Sequence, residues 1–210
     1  MKSITFLLSI ALFLFSCSKD KLTEDTPASA TESTNYFPLS IGSYWVYHWY
    51  RVDTLGNSVN FNVIDSVYIS GDTLIGSHTY YIKEGTHFGS PRKEILRDSL
   101  GYLVDETGRV YFSSTNFTDT LFSATITEGF IFTMMKDIGK SVTVPAGTFT
   151  TFNAPLLAIY NTLVFPCSGG IDQHNRYYAN NVGLILSDLR FAGDVMCNVY
   201  EQRLVSYHIN

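Results

Sequence analysis

The sequence predicts an all-β fold: a single curved antiparallel sheet, half-barrel or open barrel, with little helix. Three observations predict it. The chain is rich in flat, strand-favouring side chains, with 14 Tyr, 15 Phe and two Trp, while charged residues make up only 16%. Tight-turn signatures recur along it. No window carries a convincing helical stripe, so strands follow strands without intervening helices.

The turns come first because they set the strands. Asp53-Thr-Leu-Gly56, Asp98-Ser-Leu-Gly101 and Asp105-Glu-Thr-Gly108 each place Asp first and Gly fourth. The Asp carboxylate can accept from the backbone two residues on, and Gly supplies the left-handed conformation that realigns a hairpin. Val144-Pro145-Ala146-Gly147 varies the design, with Pro presetting the second position. These repeats lack the ligand density of a calcium loop and read as hairpin turns.

Strands are expected between them. Residues 58–70 alternate and turn at Gly71-Asp72, followed by a strand over 79–84. A meander runs through 95–97, 102–104 and 109–113, and 140–144 and 148–152 flank the Pro-Ala-Gly turn. The stretches 176–179, 184–189 and 198–208 finish the chain. Residues 126–137, where Phe130, Ile131, Phe132, Met134 and Met135 crowd together, read as a buried strand or a short irregular turn.

The densest aromatic segment is SYWVYHWY at 43–50. Neighbours on a strand point to opposite faces. Trp45, Tyr47 and Trp49 therefore form one ridge, expected in the core, where each ring buries about 150–250 Å². Tyr44, Val46, His48 and Tyr50 form the other face. Tyr44, His48 and Tyr50 are the candidate ligand-binding residues on that half-exposed side.

The first residues, MKSITFLLSIALFLFSC, hold one Lys, an apolar run from Ile4 to Phe15, then Ser16 and Cys17. The run is too short for a ~30 Å hydrocarbon core but suits a signal peptide. Leu14-Phe15-Ser16-Cys17 resembles the lipobox of bacterial lipoproteins. The resemblance implies cleavage after Ser16 and acyl chains on Cys17, each buried CH₂ adding ~0.8 kcal/mol of membrane affinity. The expected organisation is a signal peptide at 1–16, a lipidated Cys17 and flexible tether at 17–35, and one β domain at 36–210. Residues 18–35 hold a single large aliphatic side chain, Leu22, and cannot order themselves by burial. As a coil they reach roughly 23 Å. Ser18-Lys-Asp-Lys21, with Glu24 and Asp25 near, partly resembles the export tags of surface lipoproteins in Bacteroidota-type bacteria. An outer-membrane lipoprotein is expected, on its periplasmic or cell-surface face.

With Cys17 spent on lipid, Cys167 and Cys197 remain. Outside the cytoplasm the pair suggests a disulfide worth on the order of 3–4 kcal/mol, with two buried free thiols as the alternative. Neither has a second Cys or a His close enough for a metal site.

Tyr36-Phe37-Pro38-Leu39-x-x-Gly42-x-x-Trp45-x-Tyr47 resembles the opening of a family of β-rich bacterial lipoprotein domains, the TapB-like group. Val142-x-Val144-Pro145-Ala146-Gly147-Thr148-Phe149 and Tyr177-Tyr178-Ala179-x-x-Val182-Gly183-Leu184-Ile185 agree in order and spacing. The resemblance implies a curved antiparallel sheet or half-barrel with Trp45 and Tyr47 in its core. It carries no catalytic residues, and the segment 160–172 around Cys167 departs from it as an insert.

The formal net charge of −5 and the lack of a basic cluster argue against nucleic acid and against polybasic membrane binding. The five histidines show no paired metal spacing, and no phosphate loop or cofactor signature is present. Asp172-x-His174 is the closest approach to an acid–base pair. Ser168, His174 and an Asp could be written as a triad, but Pro166 stands where a nucleophile elbow needs Gly. The leading expectation is a non-enzymatic, membrane-anchored envelope lipoprotein with a structural role or as the accessory of a protein partner. The alternative is a binding module for an apolar or glycan ligand inside a half-barrel, and a hydrolase ranks last. A filled or a hollow concave face separates the first two.

Overall fold

The structure, a computed structural model, describes residues 35–160, 170–191 and 194–210. The strands are β1 (Tyr44–Val52), β2 (Ser58–Ile75), β3 (His78–His87), β4 (Ser90–Asp98), β5 (Tyr102–Asp105), β6 (Val110–Ser113), β7 (Thr120–Ile126) and β8 (Gly129–Met134). There follow β9 (Lys136–Val144), β10 (Gly147–Asn153), β11 (Leu156–Tyr160), β12 (Ile171–His174), β13 (Arg176–Ala179), β14 (Gly183–Leu189) and β15 (Val199–His208). All of them fall within the compact unit 34–210, so a chain lacking its first seventeen residues keeps the whole fold.

Eleven strands form one antiparallel sheet in the order β6-β5-β4-β3-β2-β1-β15-β14-β13-β10-β9. The sheet curls into a half-barrel, as expected. β6 stands at one edge and β10 next to the other, yet Tyr36 touches both, with ring centroids 5.3 Å from Phe112 on β6 and 4.6 Å from Phe152 on β10. Phe112 also lies 4.6 Å from Tyr178 on β13. Aromatic rings therefore bridge the gap that hydrogen bonds leave open. A second, four-stranded sheet, β12-β11-β8-β7, adds to the single sheet expected. The crowded residues 130–135 supply its strand β8, which pairs with β7 through Ala124↔Ile131 and Ser123↔Phe132.

The Asp-x-x-Gly turns form as read. Gly56 N donates to Asp53 O and Gly108 N to Asp105 O, both at 3.0 Å. Gly101 N donates to Asp98 Oδ1 at 2.8 Å. The turn expected at Gly71-Asp72 does not form. β2 runs on to Ile75 with a register shift between Ile69 and Gly71, so Gly71 marks a bulge. The chain reverses at Gly76-Ser77, between paired Ile75 and His78, with Gly76 at φ 61°.

The β3–β4 hairpin was hidden from the sequence. It turns at Phe88-Gly89, where both residues have positive φ, 51° and 76°. A two-residue loop with that pattern is the type I′ turn, which rarely takes Phe. β4 opens Ser90-Pro91-Arg92-Lys93-Glu94, a run that looks like a loop. Pro91 is tolerated because β5 pairs only with Leu96, Arg97 and Asp98, which leaves that end of β4 at an edge.

The alternation of β1 holds. Trp45, Tyr47 and Trp49 are buried, while Tyr44 is 45% exposed and His48 and Tyr50 are half-buried. Trp45 and Tyr47 join Ile69, Ile185 and Leu204 in one core cluster, and Tyr36, Phe37, Leu96, Phe112 and Tyr178 build another. Trp45 Nε1 donates to Val182 O at 2.6 Å and Tyr47 Oη to Leu184 O at 2.8 Å, so both buried polar tips are satisfied.

Candidate functional site

The concave face is hollow. A cavity of about 390 Å³ lies over it, within the range of small-molecule sites. Its apolar lining includes Trp45, Tyr47, Val67 and Ile69 on β1 and β2, with Phe37 and Leu96. Trp45 and Tyr47 are thus both core residues and cavity lining, while Trp49 is core alone.

Register explains the polar part. Paired residues of neighbouring strands share a face, and Val67 and Ile69 sit opposite Gly85 and Lys83. Lys83 in turn pairs with Glu94, and Gly85 with Arg92. One Lys, one Arg and one Glu therefore point to the concave side, while Glu84 and Lys93 meet across the other face at 3.4 Å. Glu94 takes Lys83 Nζ at 2.9 Å and Arg92 Nη2 at 2.8 Å. The Lys83 charge is the main cause that holds the Glu94 carboxyl down at about 2 against burial, with Arg92 assisting. One carboxylate thus answers two cations.

Gly85 is the hinge of that register. At φ 150° it sits where only Gly is comfortable, and a Cβ there would run into Ser66 O and come within 2.8 Å of Val67 Cα.

Arg176 lines the same cavity from β13. Its Nε donates to Ala154 O at 2.8 Å and its Nη2 to Thr133 Oγ1 at 3.3 Å. Those acceptors are neutral, and among the described residues no carboxylate forms an ion pair with it. Burial, then the like charge of Arg109, lower its pKa, yet a guanidinium stays protonated. Tyr178 beside it is buried, and desolvation raises its phenol.

His174 and Asp172 are brought together, with Nε2 to Oδ2 at 2.7 Å, and Arg190 Nη1 holds Asp172 Oδ1 at 2.8 Å. Burial would raise the Asp172 carboxyl, but the hydrogen bonds and charges of His174 and Arg190 prevail and keep it low. His174 reaches the cavity wall, whereas Ser168 lies outside the described residues. Asp188 also lines the cavity and accepts from Asn175 N and Nδ2 at 2.7 and 2.6 Å. Burial pushes its carboxyl up to about 6.

Tyr44, His48 and Tyr50 do not line this cavity. They face away from it: Tyr44 stacks on His208 at 5.8 Å, and Arg203 covers the Tyr50 ring at 4.5 Å. Cys17 and Cys167 lie outside the described residues, and so does any bond between Cys167 and Cys197. No group of three His, Cys, Asp or Glu side chains among the described residues could hold a metal ion. Lys83, Glu94, Arg176 and Tyr178 were not singled out from the sequence. The two-residue spacing from Lys83 to Gly85 and from Arg92 to Glu94 is the signal that, once the Phe88-Gly89 turn is recognised, places them opposite one another.

No protein-family model matches the chain, and no curated protein does. Two solved structures resemble it. One is of a candidate lipoprotein from Parabacteroides distasonis, 16% identical, with a TM-score of 0.51 over 83% of this chain and 99% of that one. The other is of a candidate exported protein with a YmcC-like fold from Bacteroides fragilis, 13% identical, with the same TM-score and coverage. At these identities the likeness speaks for the fold. The chain has the curled β fold seen in lipoprotein-like and exported proteins of Bacteroidota, and the comparisons do not reach the TapB-like group.

Proposed function

We propose that this chain is a non-enzymatic lipoprotein of the cell envelope, held to the outer membrane through Cys17, whose half-barrel binds an apolar small molecule. The cavity of about 390 Å³ on the concave face carries this reading. A purely structural domain would fill that space with side chains, because close packing stabilises a core. Here Trp45, Tyr47, Val67 and Ile69, buried members of the core, border an open volume. Part-buried ion pairs at Glu94 and Asp172 brace the walls. Asp172 holds His174 through Oδ2 and Arg190 through Oδ1, and in this reading the three side chains are a structural tie at the cavity wall. Kinship with the TapB-like group rests on the three sequence motifs alone.

The test is organic extraction and native mass spectrometry of freshly purified residues 18–210, which lack the acyl chains of Cys17. A bound small molecule of apolar character, lost when Ile69→Trp fills the cavity, is expected. A chain with no adduct that also takes up no hydrophobic probe contradicts the reading.

A further inference from the structure

The cavity has an unbalanced polar wall. On the concave side, Lys83 and Arg92 converge on the single carboxylate of Glu94 at 2.9 and 2.8 Å, which leaves one positive charge in excess. Glu84 also borders the volume, but its carboxylate is turned to Lys93 on the opposite face. Arg176 adds a second positive charge, bonded to Ala154 O and Thr133 Oγ1 and, among the described residues, to no carboxylate. The Asp188 carboxylate accepts from the neutral backbone and side-chain N–H groups of Asn175 and offsets one of these two charges, so one positive charge stays in excess. A guanidinium has five N–H donors in a planar fork, and two acceptors leave part of that fork unused. Arg176 is part-buried and its guanidinium also lies 5.6 Å from the Tyr111 ring, so an anion in the cavity that it lines would complete its set of partners.

Resting on the reading of the cavity as a ligand site, we propose that its ligand is a single-chain amphiphile with a carboxylate head, the head held by the Arg176 fork and the chain lying along Trp45, Tyr47, Val67 and Ile69. Two parallel N–H donors match the two oxygens of a carboxylate, and charge-assisted bonds of this kind are the strong ones. Trp45 Nε1 and Tyr47 Oη are spent on Val182 O and Leu184 O, so these two rings meet the ligand through their apolar parts.

The experiment titrates residues 18–210 with dodecanoate, dodecanol and dodecyltrimethylammonium, each below its micelle concentration, and reads tryptophan fluorescence, because Trp45 lines the site. Dodecanoate is expected to bind about ten- to a hundredfold more tightly than dodecanol, with the ammonium weakest. Arg176→Gln should weaken dodecanoate far more than dodecanol, bringing the two to a similar level. If dodecanol and dodecanoate bind alike in the unaltered chain, Arg176 is only a tie between the two sheets. The inference then fails, while the ligand site stands. If none of the three binds, the ligand site itself fails. The comparison of head groups needs no variant, so it decides even if Arg176→Gln does not fold.

Discussion

Trp49 Nε1 donates to Asp65 Oδ2 at 2.6 Å, and both side chains are completely shielded from solvent. The same carboxylate accepts from Phe88 N at 2.8 Å, Gly89 N at 2.9 Å and Gln202 Nε2 at 3.0 Å. It thereby pins the type I′ turn of the β3–β4 hairpin to β1 and β15. Burial works against the ionised form, but the donors outweigh it and hold the Asp65 carboxyl below its usual value. The positive φ of Phe88, 51°, costs on the order of 1–3 kcal/mol, and these bonds stabilise the turn that carries it.

Asp65→Ala should destabilise the fold by about 3–5 kcal/mol, because it strands two buried and two part-buried donors at once. Urea denaturation measures this. A loss under about 1 kcal/mol would mean that water or a neighbour replaces the carboxylate.

Glu94 and Asp188 should give stability opposite pH slopes. Glu94 is held down from 4.5 to about 2, so its contribution is present above 4.5 and is lost as pH falls toward 2. Asp188 is raised from 3.8 to about 6, so its protonated form favours folding below 3.8 and that contribution is lost as pH rises toward 6. Urea midpoints should therefore decline on the acid side through Glu94, and Glu94→Gln should flatten that decline. Carbon-13 titration of the Asp188 carboxyl should show a midpoint near 6, and a midpoint below the usual value would refute its burial.

Gly85→Ala should cost about 1–3 kcal/mol, since the new Cβ meets the β2 backbone at a φ that L-residues avoid. The same change should move Lys83 and Arg92 apart from Val67 and Ile69, and ligand uptake should fall with stability. A variant as stable as the parent would place the β2–β3 approach wrongly.

Non-reducing peptide mapping of protein recovered from membranes should find Cys167 joined to Cys197 and Cys17 carrying acyl chains. Reduction should then lower stability by on the order of 3–4 kcal/mol. Free thiols at both positions, or an unmodified Cys17, would remove the bridge or the anchor from the account.

Much of the fold was legible. Period-two aromatics at Trp45, Tyr47 and Trp49 announced a core face, and Asp53, Asp98 and Asp105 marked three turns through local hydrogen bonding. Gly71 misled because Gly punctuates both turns and bulges, and only the partner strand distinguishes them. The β3–β4 hairpin escaped because Phe88 is a poor turn residue locally and is held there by Asp65, which lies far back in sequence. The charged wall escaped for the same reason: Lys83 and Glu94 meet once that hairpin forms, and Arg176 joins their cavity only after the sheet curls. Tyr44, His48 and Tyr50 were chosen for exposure, whereas the hollow lies behind the buried ridge.

The most direct test is a crystal structure of residues 18–210 grown with dodecanoate. The account predicts continuous density along Trp45, Tyr47 and Ile69, with the carboxylate at hydrogen-bond distance from Arg176. A concave face closed by the Tyr36–Leu39 segment, with the probe found elsewhere or nowhere, would contradict it.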